Sequence, residues 1–208
     1  MTAVKICGLR RLEDVAIVNE LRPQYVGFVF APSRRQVTIE QVEMLVETLA
    51  PHILRVGVFL DHSLSFIRRA VQAGRLDVVQ LHGSESPSFC RELAEVQVWK
   101  SFSVQNPASL DAIPRYDVDG YLLDAYHPQM AGGSGHSFDW ELAAGLSQKV
   151  HLILAGGLHP GNVRRAIATV QPQVVDVSSG VERDGCKDEA LVRQFIDEVR
   201  RDASIGNS

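Results

Sequence analysis

The chain has 208 residues, 45% of them hydrophobic and 22% charged, and a formal net charge of -4. That length can bury a core without disulfide or metal staples, and the composition is that of an ordinary globular protein. The acidic balance leaves no basic footprint for nucleic acid, and no apolar run reaches the length of a membrane span, so neither is expected as a partner.

The first residues lack a secretory pattern. Cys7, Cys90 and Cys186 are far apart and form neither a disulfide framework nor a C-x-x-C spacing. A reduced, cytoplasmic protein is expected. Its oligomeric state is left open between monomer and homodimer.

In chain order, a strand at 4–7 is followed by a helical pattern at 11–21. Strand 25–30 leads to helix 39–49, with Thr38 as its N-cap. Strand 55–59 precedes helix 63–73, and strand 78–81 precedes helix 86–95, where Ser86 stands before Pro87, a residue favoured in the first turn. Strand 98–102 is followed by a weaker helical stretch at 106–113.

Strand 120–124 runs into a long glycine-rich loop and then a helix at 139–146, with Asp139 as its cap and Trp140 packing inward. Strand 152–155 precedes helix 160–170. Strand 174–177 precedes helix 189–200, which Asp188 caps and whose basic end, Arg200 and Arg201, suits the helix dipole. The polar tail at 203–208 is expected to fray.

The strands are near-continuous apolar runs, as parallel strands buried on both faces are. Eight strand–helix units in about 200 residues predict an α/β fold, a single (β/α)8 TIM barrel spanning 1–208 as one domain. An open doubly wound sheet fits less well, because the first turn reads C-G-L-R rather than G-x-G-x-x-G.

Such barrels place their active site at the C-terminal ends of the strands. The strand ends here offer Cys7; the Arg34-Arg35 pair; Gln80, His82 and Gly83; Asp124; Gly156 and Gly157; and Asp176, Ser178, Ser179 and Gly180. Small residues after strands seven and eight predict a phosphate site, since backbone N–H groups can then approach the oxygens. The long loop after Asp124 suits a lid. A guanidinium of the arginine pair suits a substrate carboxylate, with one side chain facing in and the other out.

These segments resemble phosphoribosylanthranilate isomerases of the tryptophan pathway. The resemblance runs through "VKICGL", "VGFVFAPSRRQV", "RVGVF", "VVQLHG", "LLDA", "GGSGHSFDW", "LAGGLHPGNV" and "DVSSGVE", in that order and over nearly the whole chain. It implies a (β/α)8 barrel with no metal and no organic cofactor. The implied reaction is the Amadori rearrangement of N-(5-phosphoribosyl)anthranilate, a small phosphorylated substrate, to 1-(2-carboxyphenylamino)-1-deoxyribulose 5-phosphate.

Carried over by position, the general base falls on Cys7 and the general acid on Asp124. The arginine that contacts the anthranilate moiety falls best on Arg35, with Arg34 as the alternative. Gly156, Gly157, Ser178, Ser179 and Gly180 match the phosphate loops. "VERDGCKD" departs from the family in lacking a proline–glycine step.

The rearrangement needs one acid and one base at neutral pH. Burial and an anionic substrate favour a protonated aspartate, while a cation beside the cysteine favours its thiolate. Lys5, which alternates with Cys7 along strand one and should share its face, and Arg35 are the candidates for that cation. His82 is expected at the barrel rim beside the substrate, and Asp176 is expected to order backbone.

The remaining histidines, His52, His62, His127, His136, His151 and His159, show no metal-ligand spacing. The similar histidine-pathway isomerases carry an aspartate where Cys7 stands. Indole-glycerol-phosphate synthases use lysine and glutamate residues that Lys100 alone does not reproduce. A phosphate-binding barrel without catalysis would not need both Cys7 and Asp124, and a redox sensor would need a resolving cysteine near Cys7.

Overall fold

In the computed structural model, which describes residues 1–125 and 140–202, eight parallel strands close into one barrel in chain order. They are β1 Ala3–Cys7, β2 Tyr25–Val29, β3 Leu54–Phe59, β4 Val78–Leu81, β5 Gln97–Val104, β6 Gly120–Ala125, β7 Leu152–Leu154 and β8 Val174–Val177. Closure comes from β8 pairing back on β1, with Lys5 opposite Asp176 and Ile6 opposite Val177.

Around the barrel lie α1 Leu12–Leu21, α2 Ile39–Glu47, α3 Leu64–Gly74, α4 Pro87–Arg91, α5 Val163–Val170 and α6 Glu189–Asp202. The expected caps are in place: Thr38, Ser86 and Asp188 each accept a backbone N–H three residues on. No helix among the described residues is long and apolar enough to cross a membrane.

Several helices differ from the sequence expectation. The one expected over 86–95 ends early, because beyond α4 the chain tightens into i→i+3 bonds such as Leu93 N–H to Cys90 O and Val96 N–H to Leu93 O. The stretch at 106–113 gives 3-10 turns at Pro107–Leu110 and Ile113–Arg115. Pro114 withholds a backbone donor and disfavours helical geometry at the residue before it.

Between β6 and β7 the described residues form two 3-10 turns, Trp140–Ala143 and Leu146–Gln148. Gly145 separates them at φ 76°, a backbone that a continuing helix cannot adopt. Trp140 does pack inward. Helix α5 starts later than expected, since Asn162 folds its side chain back onto Gly157 O and His159 N–H at 2.9 and 2.8 Å.

After β8 the chain forms an unanticipated antiparallel hairpin, β9 Glu182–Arg183 and β10 Cys186–Lys187, so Cys186 lies on a strand rather than in a loop. All three cysteines are unpaired. The expected lid, the Asp139 cap and the tail at 203–208 lie outside the described residues.

Side chains alternate between the two faces of each strand. On β1, Val4 and Ile6 belong to the outer core against the helices, whereas Ala3 packs on the inner cluster and Cys7 opens on the cavity above it. Val56, Val78, Trp99, Leu122, Ile153 and Val174 fill that inner floor. Two residues further along the strands the interior turns polar, with Lys5, Gln80 and Asp176 all buried. Another two residues on, at the rim, Cys7, His82 and Ser178 line a cavity.

Candidate active site

A cavity of about 200 Å³ opens above the polar layer at the C-terminal ends of the strands. Cys7, Arg35, His82, Asp124, Gly156–Leu158 and Ser178–Ser179 line it, so strands that are distant in sequence deliver their end residues to one place. Cys7 and Asp124, from β1 and β6, thus share a cavity across the barrel mouth.

Cys7 is nearly buried, at 7% relative exposure. Gly27 makes room for it: the two residues are register partners, and a Cβ at position 27 would stand 2.7 Å from the Cys7 Sγ. Below the thiol, the fully buried Lys5 donates from Nζ to Asp176 Oδ2 at 2.8 Å and to Gln80 Oε1 at 2.9 Å. Burial raises the Cys7 thiol above its ordinary value, while the Lys5 ammonium pulls it down. Burial also works against the charge on Lys5, and Asp176 and Cys7 more than offset it. Asp176 therefore holds Lys5 rather than ordering backbone, which corrects the sequence expectation. Its other oxygen, Oδ1, is buried without a hydrogen-bond partner.

On the opposite side, Asp124 Oδ2 lies 3.5 Å from His82 Nε2, with both side chains partly exposed to the cavity. His82 is thus brought to Asp124 at the rim, where the sequence placed it.

The arginine pair divides as expected. Arg34 is exposed, whereas Arg35 is buried and lines the cavity. Glu182 of β9 receives Arg35 Nε at 2.6 Å and Nη2 at 2.8 Å, a two-pronged grip that fixes the guanidinium plane. The same carboxylate takes Lys187 Nζ at 2.9 Å, and Lys187 also donates to Ser178 O at 3.0 Å. Burial alone would raise Glu182, but Arg35 and Lys187 together bring it down to about 2.

Gly156 and Gly157 have positive φ, 85° and 67°, so the chain turns back over the cavity there. Ser178 donates its hydroxyl to Cys7 O at 3.0 Å, tying the end of β8 to the end of β1. A short 3-10 turn, Ser179–Val181, follows. Loops after strands seven and eight with a short extra helical turn are the usual phosphate cradle of these barrels. Gly180 does not line the cavity. A Cβ there would run into the Leu158 carbonyl, so its part is to let the two loops touch.

Sequence reasoning missed Glu182, Lys187 and Gly27 as parts of this site. Glu182 stood in the "SSGVE" segment with no partner to suggest its part. The place of Lys5 was readable from the two-residue period of β1.

The model for "N-(5'phosphoribosyl)anthranilate (PRA) isomerase" matches residues 4–198. An N-(5'-phosphoribosyl)anthranilate isomerase of Acetivibrio thermocellus is 48% identical over 210 residues, covering 96% of each chain. The crystal structure of phosphoribosyl anthranilate isomerase from Thermotoga maritima superposes with a TM-score of 0.90 at 38% identity, covering 97% of this chain and 100% of that one. Another crystal structure, of a phosphoribosyl anthranilate isomerase in complex with reduced 1-(o-carboxyphenylamino)-1-deoxyribulose 5-phosphate, has a TM-score of 0.87 at 37% identity and covers 97% and 100%. A closed barrel with this cavity at its mouth, matched along nearly its whole length by these relatives, leads to one conclusion: the chain belongs to the N-(5'-phosphoribosyl)anthranilate isomerase family.

Proposed function

We propose that Cys7 is the general base and Asp124 the general acid of the reaction that family membership assigns to this chain. That reaction is the isomerisation of N-(5-phosphoribosyl)anthranilate to 1-(2-carboxyphenylamino)-1-deoxyribulose 5-phosphate, a step of L-tryptophan biosynthesis. The observation that carries the assignment is the placement of a thiol and a carboxyl from β1 and β6 in one cavity.

In this reading Asp124 gives a proton to the ribose ring oxygen as its bond to C1 breaks, and the nitrogen lone pair forms the C=N bond of a Schiff base. Cys7, as thiolate, then takes the proton from C2, and the electron pair moves into a C1=C2 bond to give an enolamine. Tautomerisation moves the hydroxyl proton to C1 and leaves the ketose. Atoms and charge balance without any oxidant, metal or organic cofactor.

Arg35 receives the anthranilate carboxylate, and His82 stands at the rim beside the acid. Gly156, Gly157, Ser178 and Ser179 take the phosphate, with Gly180 supporting them. We read the chain as one cytoplasmic domain, a monomer or homodimer without a nucleic-acid partner, in keeping with its net charge of -4.

The test is the loss of substrate fluorescence on adding enzyme, with the substrate generated from anthranilate in place. Decay unaffected by a chelator, with kcat lower by about 10²–10⁴-fold in Cys7→Ala and in Asp124→Asn, is the expected result. Near-wild-type kcat in either variant would remove that residue from its role. Phosphate affinity should survive both changes.

A further inference from the structure

The base in this reading has to release a proton that burial holds on, so the charges around the sulfur decide how readily it becomes an anion. Lys5 lies two residues before Cys7 on the same inner face of β1. It is fully buried and does not line the cavity, so it cannot touch a substrate. An ammonium has three N–H bonds. Asp176 and Gln80 take two of them, and both of these side chains also line the cavity on which Cys7 opens, so the ammonium is held in the buried layer directly beneath the thiol.

We propose that Lys5 is a positioning residue of the isomerisation: acting through Cys7, its ammonium eases loss of the thiol proton, while Asp176 and Gln80 fix the ammonium group in place. This rests on the reading of Cys7 as the base.

Other charged groups also face the sulfur. Asp176 on β8 opposes its negative charge, while Lys187 on β10 and Arg35 after β2 favour it. Arg35 and Lys187 share Glu182 as their anion, which balances much of their charge. Lys5 instead holds the Asp176 carboxylate at 2.8 Å, and the two charges act on the thiol in opposite senses, the ammonium favouring the thiolate and the carboxylate opposing it. Removing Lys5 and removing Asp176 must therefore move the thiol in opposite directions.

The experiment follows thiolate absorbance in the ultraviolet against pH, without substrate, in a Cys90→Ala/Cys186→Ser background where Cys7 is the remaining thiol. In Lys5→Met the titration should rise by about one pH unit or more, the lower end of the roughly 1–3 units by which a neighbouring opposite charge shifts a group. The rising limb of kcat/KM should move with it. In Asp176→Asn the titration should fall. A Lys5→Met thiol that titrates with the parent, or an Asp176→Asn thiol at or above the parent, overturns the proposal. Should one variant fail to fold, the direction in the other decides. Because the titration needs no turnover, its outcome is separate from the base assignment, which the kcat of Cys7→Ala tests.

Discussion

Room for a sulfur at the rim of a barrel has to be made by the neighbouring strand. Gly27 does so, and a methyl group there would meet the Cys7 Sγ at 2.7 Å. Gly27→Ala should cost about 1–3 kcal/mol through overpacking, leaving the barrel folded. With Cys7 as the proposed base, its larger effect belongs to chemistry, because misplacing a reacting atom by about 1 Å costs on the order of 10²-fold. We expect kcat to fall by about that factor with KM little changed, and a full kcat would show that the sulfur tolerates displacement. The arginine pair allows a similar separation. Arg35→Ala should raise KM by about 10–100-fold, the weight of a charge-assisted hydrogen bond, whereas Arg34→Ala should leave it near wild type. A larger rise in Arg34→Ala would exchange their roles.

At the scale of elements, the hairpin after β8 secures the mouth of the barrel. Its Glu182 binds Arg35 from the β2 side and Lys187 from the hairpin itself, so one carboxylate pins two segments to the rim. Glu182 titrates at about 2 in the fold against 4.5 ordinarily. A depressed carboxylate contributes stability above its unfolded value, and that contribution is lost as pH falls through the folded one. Glu182→Gln leaves two buried cations without their anion and should destabilise the protein by about 3 kcal/mol at neutral pH. The gap to wild type should narrow between pH 4.5 and about 2, which denaturant melts at several pH values would show. A gap constant with pH would mean that packing, not charge, carries the effect. The Gly180 contact is also an element-scale feature. Gly180→Ala has to part the β7 and β8 loops at the Leu158 carbonyl, and should weaken inhibition by inorganic phosphate more than it lowers kcat.

For the whole molecule, the sequence was legible wherever a local pattern carries the information. The eight apolar runs announced a closed parallel barrel, and Cys7 and Asp124 could be placed at its mouth because both end strands, where both now line the cavity. The roles proposed for them came from the resemblance, since a lone cysteine on an apolar strand otherwise reads as packing. Gly27, Glu182 and Lys187 stayed hidden because their partners are set by register and by the hairpin, which no neighbouring residue encodes. The short helices missed for a different reason: proline and a left-handed glycine ended them where apolar spacing alone would have continued. The same closure separates the two ends of the barrel. Trp99 fills the floor, fully buried and edge-on to Tyr25 at 5.1 Å, with the polar layer of Lys5, Gln80 and Asp176 between it and the cavity. Trp99→Leu removes much of that floor and should cost about 2–4 kcal/mol in a denaturant melt. Its kcat, measured below the melting range, should stay within about twofold of wild type, because conservation of the rim needs only the strand ends to keep their register. A collapse of kcat in a variant that is still folded would show that the floor tunes the rim, and that stability and chemistry are not divided between the two ends of this barrel.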